Sequence, residues 1–194
     1  MPNNPIGVLD AGTSGDMNAA KVACRRQAAR QRAKLANASR GAAIMLAGHA
    51  AHLTGRDGGG VFAGYMPIHS ELSPLVLLEN LVGLGCDVAL PITPKVGQPL
   101  GFHRWEIDGR LDDGPYGTKQ PPAGNDKCTP DVISAPLLAL DAGVARLGDG
   151  GGLYARTGAG SRGRGRWVSW LGRAVEVDQA DVRATGPATG ATHA

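Results

Sequence analysis

Ser73 to Ile92, SPLVLLENLVGLGCDVALPI, decides the fold. Leu75, Leu77, Leu78, Leu81, Val82 and Leu84 recur at helical spacing, Pro74 suits a first helical turn and Gly85 is a stop, so the pattern predicts a helix. Cys86 to Ile92 is a short apolar run that predicts a strand directly after it. Val61 to Tyr65 before the helix and Pro99 to Ile107 after it read as further strands, the first opening onto Pro67. Strand, helix, strand in the middle of a chain points to an α/β sheet covered by helices. The expected architecture is three-layer α/β/α with a mixed, mostly parallel sheet, preceded by N-terminal helices.

Outward from this centre, Met17 to Leu35 is built of Ala, Lys, Arg and Gln with few breakers and predicts a helix; Gly41 to Leu53 predicts a second, the pair forming a helical hairpin. Gly55 to Gly60, GRDGGG, is a turn-rich link. Ser70-Glu71 begins another element, Gly114 to Pro122 is a loop, Asp131 to Leu140 is a third apolar stretch, and Gly143 to Gly152 is a glycine loop at a strand end. Residues 1–16 read as a flexible leader, 17–156 as the α/β domain, and 157–194, rich in Gly, Arg, Thr and Pro, as a divergent and weakly ordered tail.

The 194 residues suit one domain with a core of its own. Glycine and proline, 30 and 13 residues, stay under the roughly 25–30% at which such content argues for disorder, and 42% of the chain is hydrophobic. Only eight aromatic residues occur, so the core must be mostly Leu, Val, Ile and Ala. Cys24, Cys86 and Cys128 are odd in number and far apart, which fits neither a disulfide framework nor a zinc site. No apolar run approaches the roughly 20 residues of a membrane span. A soluble cytoplasmic protein, monomeric and without a membrane partner, is expected. The net charge of +3 is unevenly spread: Met17 to Arg56 holds eight Lys and Arg and no acid, leaving the rest acidic. That asymmetry suggests a phosphate-bearing partner, nucleotide or nucleic acid, or simply a solvated helix face.

Chemistry concentrates in few places. Arg146 to Ala155, RLGDGGGLYA, carries glycines at 148, 150, 151 and 152, which let backbone N–H groups converge on one anion; Arg146 could add a charged donor. A plain flexible turn has the same composition, and neither GxxxxGK[ST] nor a clean GxGxxG after a strand is present. Lys21 and Arg25 stand at i,i+4 spacing, where phosphate ligands or solvated charges are both possible. Glu71 is either a ligand acceptor or a first-turn carboxylate favoured by the helix dipole. His49, His52, His69 and His103 show no HExxH or Cys/His metal spacing, and the GxSxG elbow of a hydrolase is absent.

Taken in order, the segments resemble the 5-formyltetrahydrofolate cyclo-ligase family, also called methenyltetrahydrofolate synthetase. Lys21 and Arg25 match its N-terminal Lys-x-x-x-Arg; Tyr65-Met66-Pro67-Ile68-His69-Ser70-Glu71 matches its aromatic, Pro and Ser-Glu folate segment. Leu78 to Pro91, Gly97 to Trp105, Gly114 to Pro121, Asp131 to Leu140 and the glycine loop follow in the family's sequence order. The likeness covers roughly residues 20 to 156. It implies ATP- and magnesium-dependent closure of 5-formyltetrahydrofolate to 5,10-methenyltetrahydrofolate, with release of ADP and phosphate. By position, Lys21, Arg25 and Arg146 with Gly148, Gly150, Gly151 and Gly152 would hold ATP, and Arg146 and Tyr154 would serve catalysis. Met66, Glu71, Trp105 and Tyr154 would bind the folate, although Trp105 reads equally well as a core residue.

The chain also departs from that pattern. Ala155 stands where the family has a magnesium-binding Asp, and a methyl group cannot coordinate a hard cation. Asp149 replaces the loop's aromatic or Arg, and is the candidate displaced metal ligand. The family's final helix and strand have no recognisable match after Arg156. Two alternatives therefore stand beside the enzyme: a catalytically impaired relative that binds only nucleotide or folate, and a basic RNA-binding protein using the first helix with Trp167 and Trp170 for stacking. The second leaves the matched segments from 61 to 141 unexplained, so nucleic acid is not the expected partner.

Overall fold

The computed structural model describes residues 12–38, 41–54, 59–140, 146–147, 151–161 and 167–171. Five helices, α1 (Gly12–Ala38), α2 (Ala42–Ala47), α3 (Ala50–Leu53), α4 (Leu75–Gly83) and α5 (Leu153–Ser161), accompany ten strands among these residues. β1 (Val61–Ala63), β2 (Asp87–Ile92), β3 (Gly101–Arg104), β6 (Lys127–Cys128), β7 (Val132–Pro136) and β10 (Trp167–Leu171) form one sheet in the order β10-β7-β1-β2-β3-β6. The pairings from β10 through β7 and β1 to β2 are parallel, and those of β2 with β3 and β3 with β6 antiparallel. Two small hairpins, β4 (Asp112–Asp113) with β5 (Lys119–Gln120) and β8 (Ala139–Leu140) with β9 (Arg146–Leu147), complete it. The sheet is mixed and mostly parallel, as the central segment predicts.

That segment behaves as its spacing requires. Leu77, Leu78 and Leu81 are fully buried on one face of α4. The helix ends in a Schellman motif: Gly85, at φ +84°, donates its N–H to the Val82 carbonyl, and Cys86 donates to Leu81. The chain can then enter β2 with Asp87 donating to Gly60. Gly64 lets β1 and α4 approach closely, since a Cβ there would lie 2.5 Å from Leu78 Cδ1.

Alternation along each strand divides the core in two. Phe62, Val88, Leu90 and Leu171 face the cluster of Leu77, Leu78 and Leu81, whereas Ala63, Ala89, Ile133 and Val168 face Leu100, Phe102, Leu153 and Tyr154. α4 thus covers one face and α5 the other, giving three layers. None of the described helices is long and apolar enough to cross a membrane.

Several boundaries differ from expectation. α1 begins at Gly12, inside the stretch read as a leader. The second predicted helix is broken into α2 and α3 at Gly48 and His49, and α2 packs on α4. The buried apolar residues described in α1, Cys24 and Ala28, pack with Leu138.

Of residues 157–194, two short parts are described. α5 runs through the expected boundary to Ser161, and β10 adds an edge strand to the sheet, so these parts of the proposed tail are regular structure. Thr157 shows why: it is buried, its Oγ1 accepts the Leu100 N–H at 2.9 Å and donates to the Leu153 carbonyl at 2.9 Å. Thr157→Val keeps the shape but leaves a buried N–H unpaired, which should cost about 1–3 kcal/mol. Thermal unfolding should show a midpoint lower by roughly 2–12 °C; an unchanged midpoint would remove this pin from the account.

Candidate functional site

The chain leaves β1 towards β2 on one side while β7 lies on the other, so the strand order switches between β1 and β7. In open α/β sheets, ligands sit outside the carboxyl ends of the strands at such a point. Here β1 runs into Gly64 to Leu72, and β7 into Leu137, Leu138 and the β8–β9 hairpin. α1 meets both exits, through Cys24 and Ala28 at Leu138 and through Arg32 at Ser70 and Glu71.

The segment after β1 is tightly held. Tyr65 donates its hydroxyl to the Leu72 carbonyl at 2.6 Å, closing the loop on itself. His69 sits at φ +54°, and within the same turn Glu71 Oε2 accepts the Ile68 N–H at 2.8 Å while Glu71 N–H donates to the Ile68 carbonyl. Glu71 is therefore a buried carboxylate, its side chain 6% exposed, with Arg32 Nη1 3.8 Å from Oε1. Arg32 Nε donates to Ser70 Oγ at 3.1 Å. Burial and a paired charge together make this a strongly determined group rather than the surface first-turn carboxylate of the simpler sequence reading.

Tyr154, in the first turn of α5, belongs to the same neighbourhood. Burial raises its phenol above the ordinary tyrosine range, and the nearby Glu71 charge and Tyr65 raise it further. The hydroxyl is thus a neutral donor at any working pH. Met66 is partly buried against the core beneath this loop.

The remaining sequence candidates fall into three groups. Arg25 lies one turn before Ala28 on α1 and is half-buried; Lys21 lies a further turn back on the same stripe, and its side chain is outside the described residues. Arg146 is placed as backbone in β9, whereas Gly148, Asp149 and Gly150 lie outside the described residues. Gly151 and Gly152 are described: Gly152 has φ +62°, and Arg156 folds back to donate from Nη2 to the Gly151 carbonyl at 2.8 Å. Trp105 is 6% exposed in the core cluster and donates Nε1–H to the Gly109 carbonyl at 3.1 Å. That burial is what the core reading of Trp105 expects.

Ala155 is exposed on α5 beside Tyr154. Among the described residues no three His, Cys, Asp or Glu converge as metal ligands. Trp167 and Trp170, the stacking residues of the RNA-binding alternative, belong to sheet strand β10.

Arg32 carries no role in the sequence reading, and Ser70 enters it only within the matched segment Tyr65 to Glu71. Arg32 is one of six Lys and Arg residues between positions 21 and 34, and nothing in spacing or type singles it out. Its burial was the missing signal.

Residues 17–177 match the sequence model of the 5-formyltetrahydrofolate cyclo-ligase family. A 5-formyltetrahydrofolate cyclo-ligase of Mycolicibacterium smegmatis is 34% identical over 107 residues, 51% of this chain and 55% of that protein, so the match spans about half the relative's length. Among solved structures, the Aquifex aeolicus 5,10-methenyltetrahydrofolate synthetase is similar with a TM-score of 0.55 at 21% identity, over 79% of this chain and 82% of that one. The Mycoplasma pneumoniae 5,10-methenyltetrahydrofolate synthetase gives 0.56 at 20% identity, over 75% and 80%. At these identities the structural likeness speaks for the fold.

Proposed function

Because the chain belongs to the 5-formyltetrahydrofolate cyclo-ligase family, we propose that it closes 5-formyltetrahydrofolate to 5,10-methenyltetrahydrofolate at the expense of ATP in the cytoplasm. The observation that carries this reading is the buried Glu71 carboxylate, held by the Ile68 N–H beside Arg32 and Tyr154 at the sheet's switch point.

The chemical difficulty is the formyl oxygen, a poor leaving group. Transfer of the γ-phosphoryl group to that oxygen expels ADP and converts it into a good one. N10 then attacks the activated carbon, the carbon–oxygen bond breaks, phosphate departs and the N10 proton passes to solvent. Little covalent work is left to the protein, which must position two substrates and neutralise phosphate charge. In this reading Glu71 accepts ring N–H groups of the pterin, with Met66 below it, and the neutral Tyr154 hydroxyl lines the folate. Lys21, Arg25 and Arg146, with amides of Gly148, Gly150, Gly151 and Gly152, take the triphosphate.

Ala155 favours a second reading, a relative that binds its ligands but turns over poorly. One experiment separates the two: 5-formyltetrahydrofolate and Mg-ATP are mixed with the protein and the methenyl product is followed by absorbance, with Ala155→Asp in parallel. Turnover by the native chain establishes the enzyme. Turnover higher by on the order of 10–100-fold in Ala155→Asp, the range by which a lost metal-site group usually matters, establishes the impaired relative. Absence of folate binding in both overturns the proposal.

A further inference from the structure

Two buried side-chain atoms among the described residues have no hydrogen-bond partner, Arg32 Nη1 and His103 Nδ1. His103 lies on β3, two strands from β1 and away from the switch point. Arg32 Nη1 lies against the loop after β1, on a residue only 5% exposed.

The geometry around it is unusual for an ion pair. Nε is committed to Ser70 Oγ at 3.1 Å, yet Nη1 stops 3.8 Å from Glu71 Oε1. A guanidinium serving only as counter-ion closes to about 2.8 Å on a carboxylate, where the hydrogen bond adds to the charge attraction. Held apart, the pair keeps charge compensation while leaving the unpartnered Nη1 donor beside a carboxylate. Leaving a buried guanidinium N–H unmet is costly unless a ligand atom meets it.

The charge of Glu71 restricts what that atom can be. A phosphate or carboxylate oxygen approaching Nη1 would be repelled by the adjacent carboxylate, whereas a neutral carbonyl oxygen would not. A carbonyl acceptor next to a ring N–H is the amide edge of an oxo-pyrimidine. We propose that Arg32 is a ligand-contacting residue of this site, its Nη1–H donating to the 4-oxo oxygen of a 2-amino-4-oxo pteridine while Glu71 accepts the neighbouring ring N–H. The pair then reads the amide edge as a unit, and selects it over an amino-pyrimidine, whose 4-amino hydrogens would face the Nη1 donor. The inference rests on Glu71 being the ring acceptor.

The test is equilibrium binding of 5-formyltetrahydrofolate and of its 4-amino-4-deoxy analogue to the native protein, Arg32→Lys, Arg32→Gln and Glu71→Gln. Arg32→Lys keeps the charge beside Glu71 but not the fork of donors. The preference for the oxo ring should fall on the order of 10–100-fold in both Arg32 variants, the loss expected for one hydrogen bond to a charged group. An unchanged oxo-to-amino ratio in folded Arg32 variants overturns the proposal and leaves Arg32 a counter-ion. Native protein that prefers the oxo ring by less than about threefold, under half the free energy of such a bond, overturns it even where neither variant folds. Glu71→Gln binding both rings as the native chain does overturns the reading of Glu71 instead, so the two failures are told apart.

Discussion

Glu71→Gln is expected to weaken 5-formyltetrahydrofolate binding by roughly 100-fold or more, with nucleotide binding changed less than about threefold. The size follows from where the carboxylate sits. Its side chain is 6% exposed, Oε2 already holds the Ile68 N–H, and Arg32 lies beside Oε1. An amide keeps one acceptor oxygen but turns the other into a donor, so ring N–H groups lose a charge-assisted acceptor. Arg32 at the same time loses its counter-charge, and breaking a buried pair from one side costs about 3–5 kcal/mol. The same substitution should therefore lower the thermal midpoint, a readout independent of the ligand. Isothermal titration with each substrate separates the two effects; equal loss of nucleotide and folate affinity would point to a damaged fold rather than a damaged folate site.

A chain ended before Trp167 is expected not to fold cooperatively. β10 pairs with β7 from Trp167 opposite Val132 to Leu171 opposite Pro136, and the Leu171 carbonyl accepts the Leu137 N–H at 2.9 Å. Leu171 is buried in one core and Val168 packs in the other. Removing the strand forfeits several backbone hydrogen bonds at about 1 kcal/mol each and the burial of a leucine at about 1.5–3 kcal/mol. The total approaches the 5–15 kcal/mol that holds a typical domain together. It also bares the edge of β7, a template for association. Size-exclusion chromatography should find aggregate, and calorimetry no single transition; a truncated chain melting like the native one would return β10 to the status of a dispensable tail.

These two expectations divide along the line between local and non-local information. Ser73 to Ile92 was legible because both of its elements are encoded locally: apolar residues at helical spacing, Gly85 at the one position needing positive φ, then a compact apolar run. The segment around Glu71 was legible as a motif, since its residue types stand in a short and specific order. α5 and β10 were not. LYARTGAGS holds two glycines that disfavour helix, and WVSWL stands among Gly and Arg residues, so composition pointed away from regular structure. What makes them form is a parallel edge at β7 and two waiting core faces, which exist only after distant segments have assembled.

The site divides in the same way. The sequence by itself determined the α/β class, the central helix and strand, the family and the carboxylate at position 71, because each is written in neighbouring residues. Tertiary structure alone decided that Arg32, out of six Lys and Arg residues within fourteen positions of α1, faces Glu71, and that Trp105 is buried in the core cluster. All the cations on a helix share the same chemistry; only the docking of α1 against Leu138 and the loop after β1 buries one of them, and burial is what turns a solvated charge into a committed one.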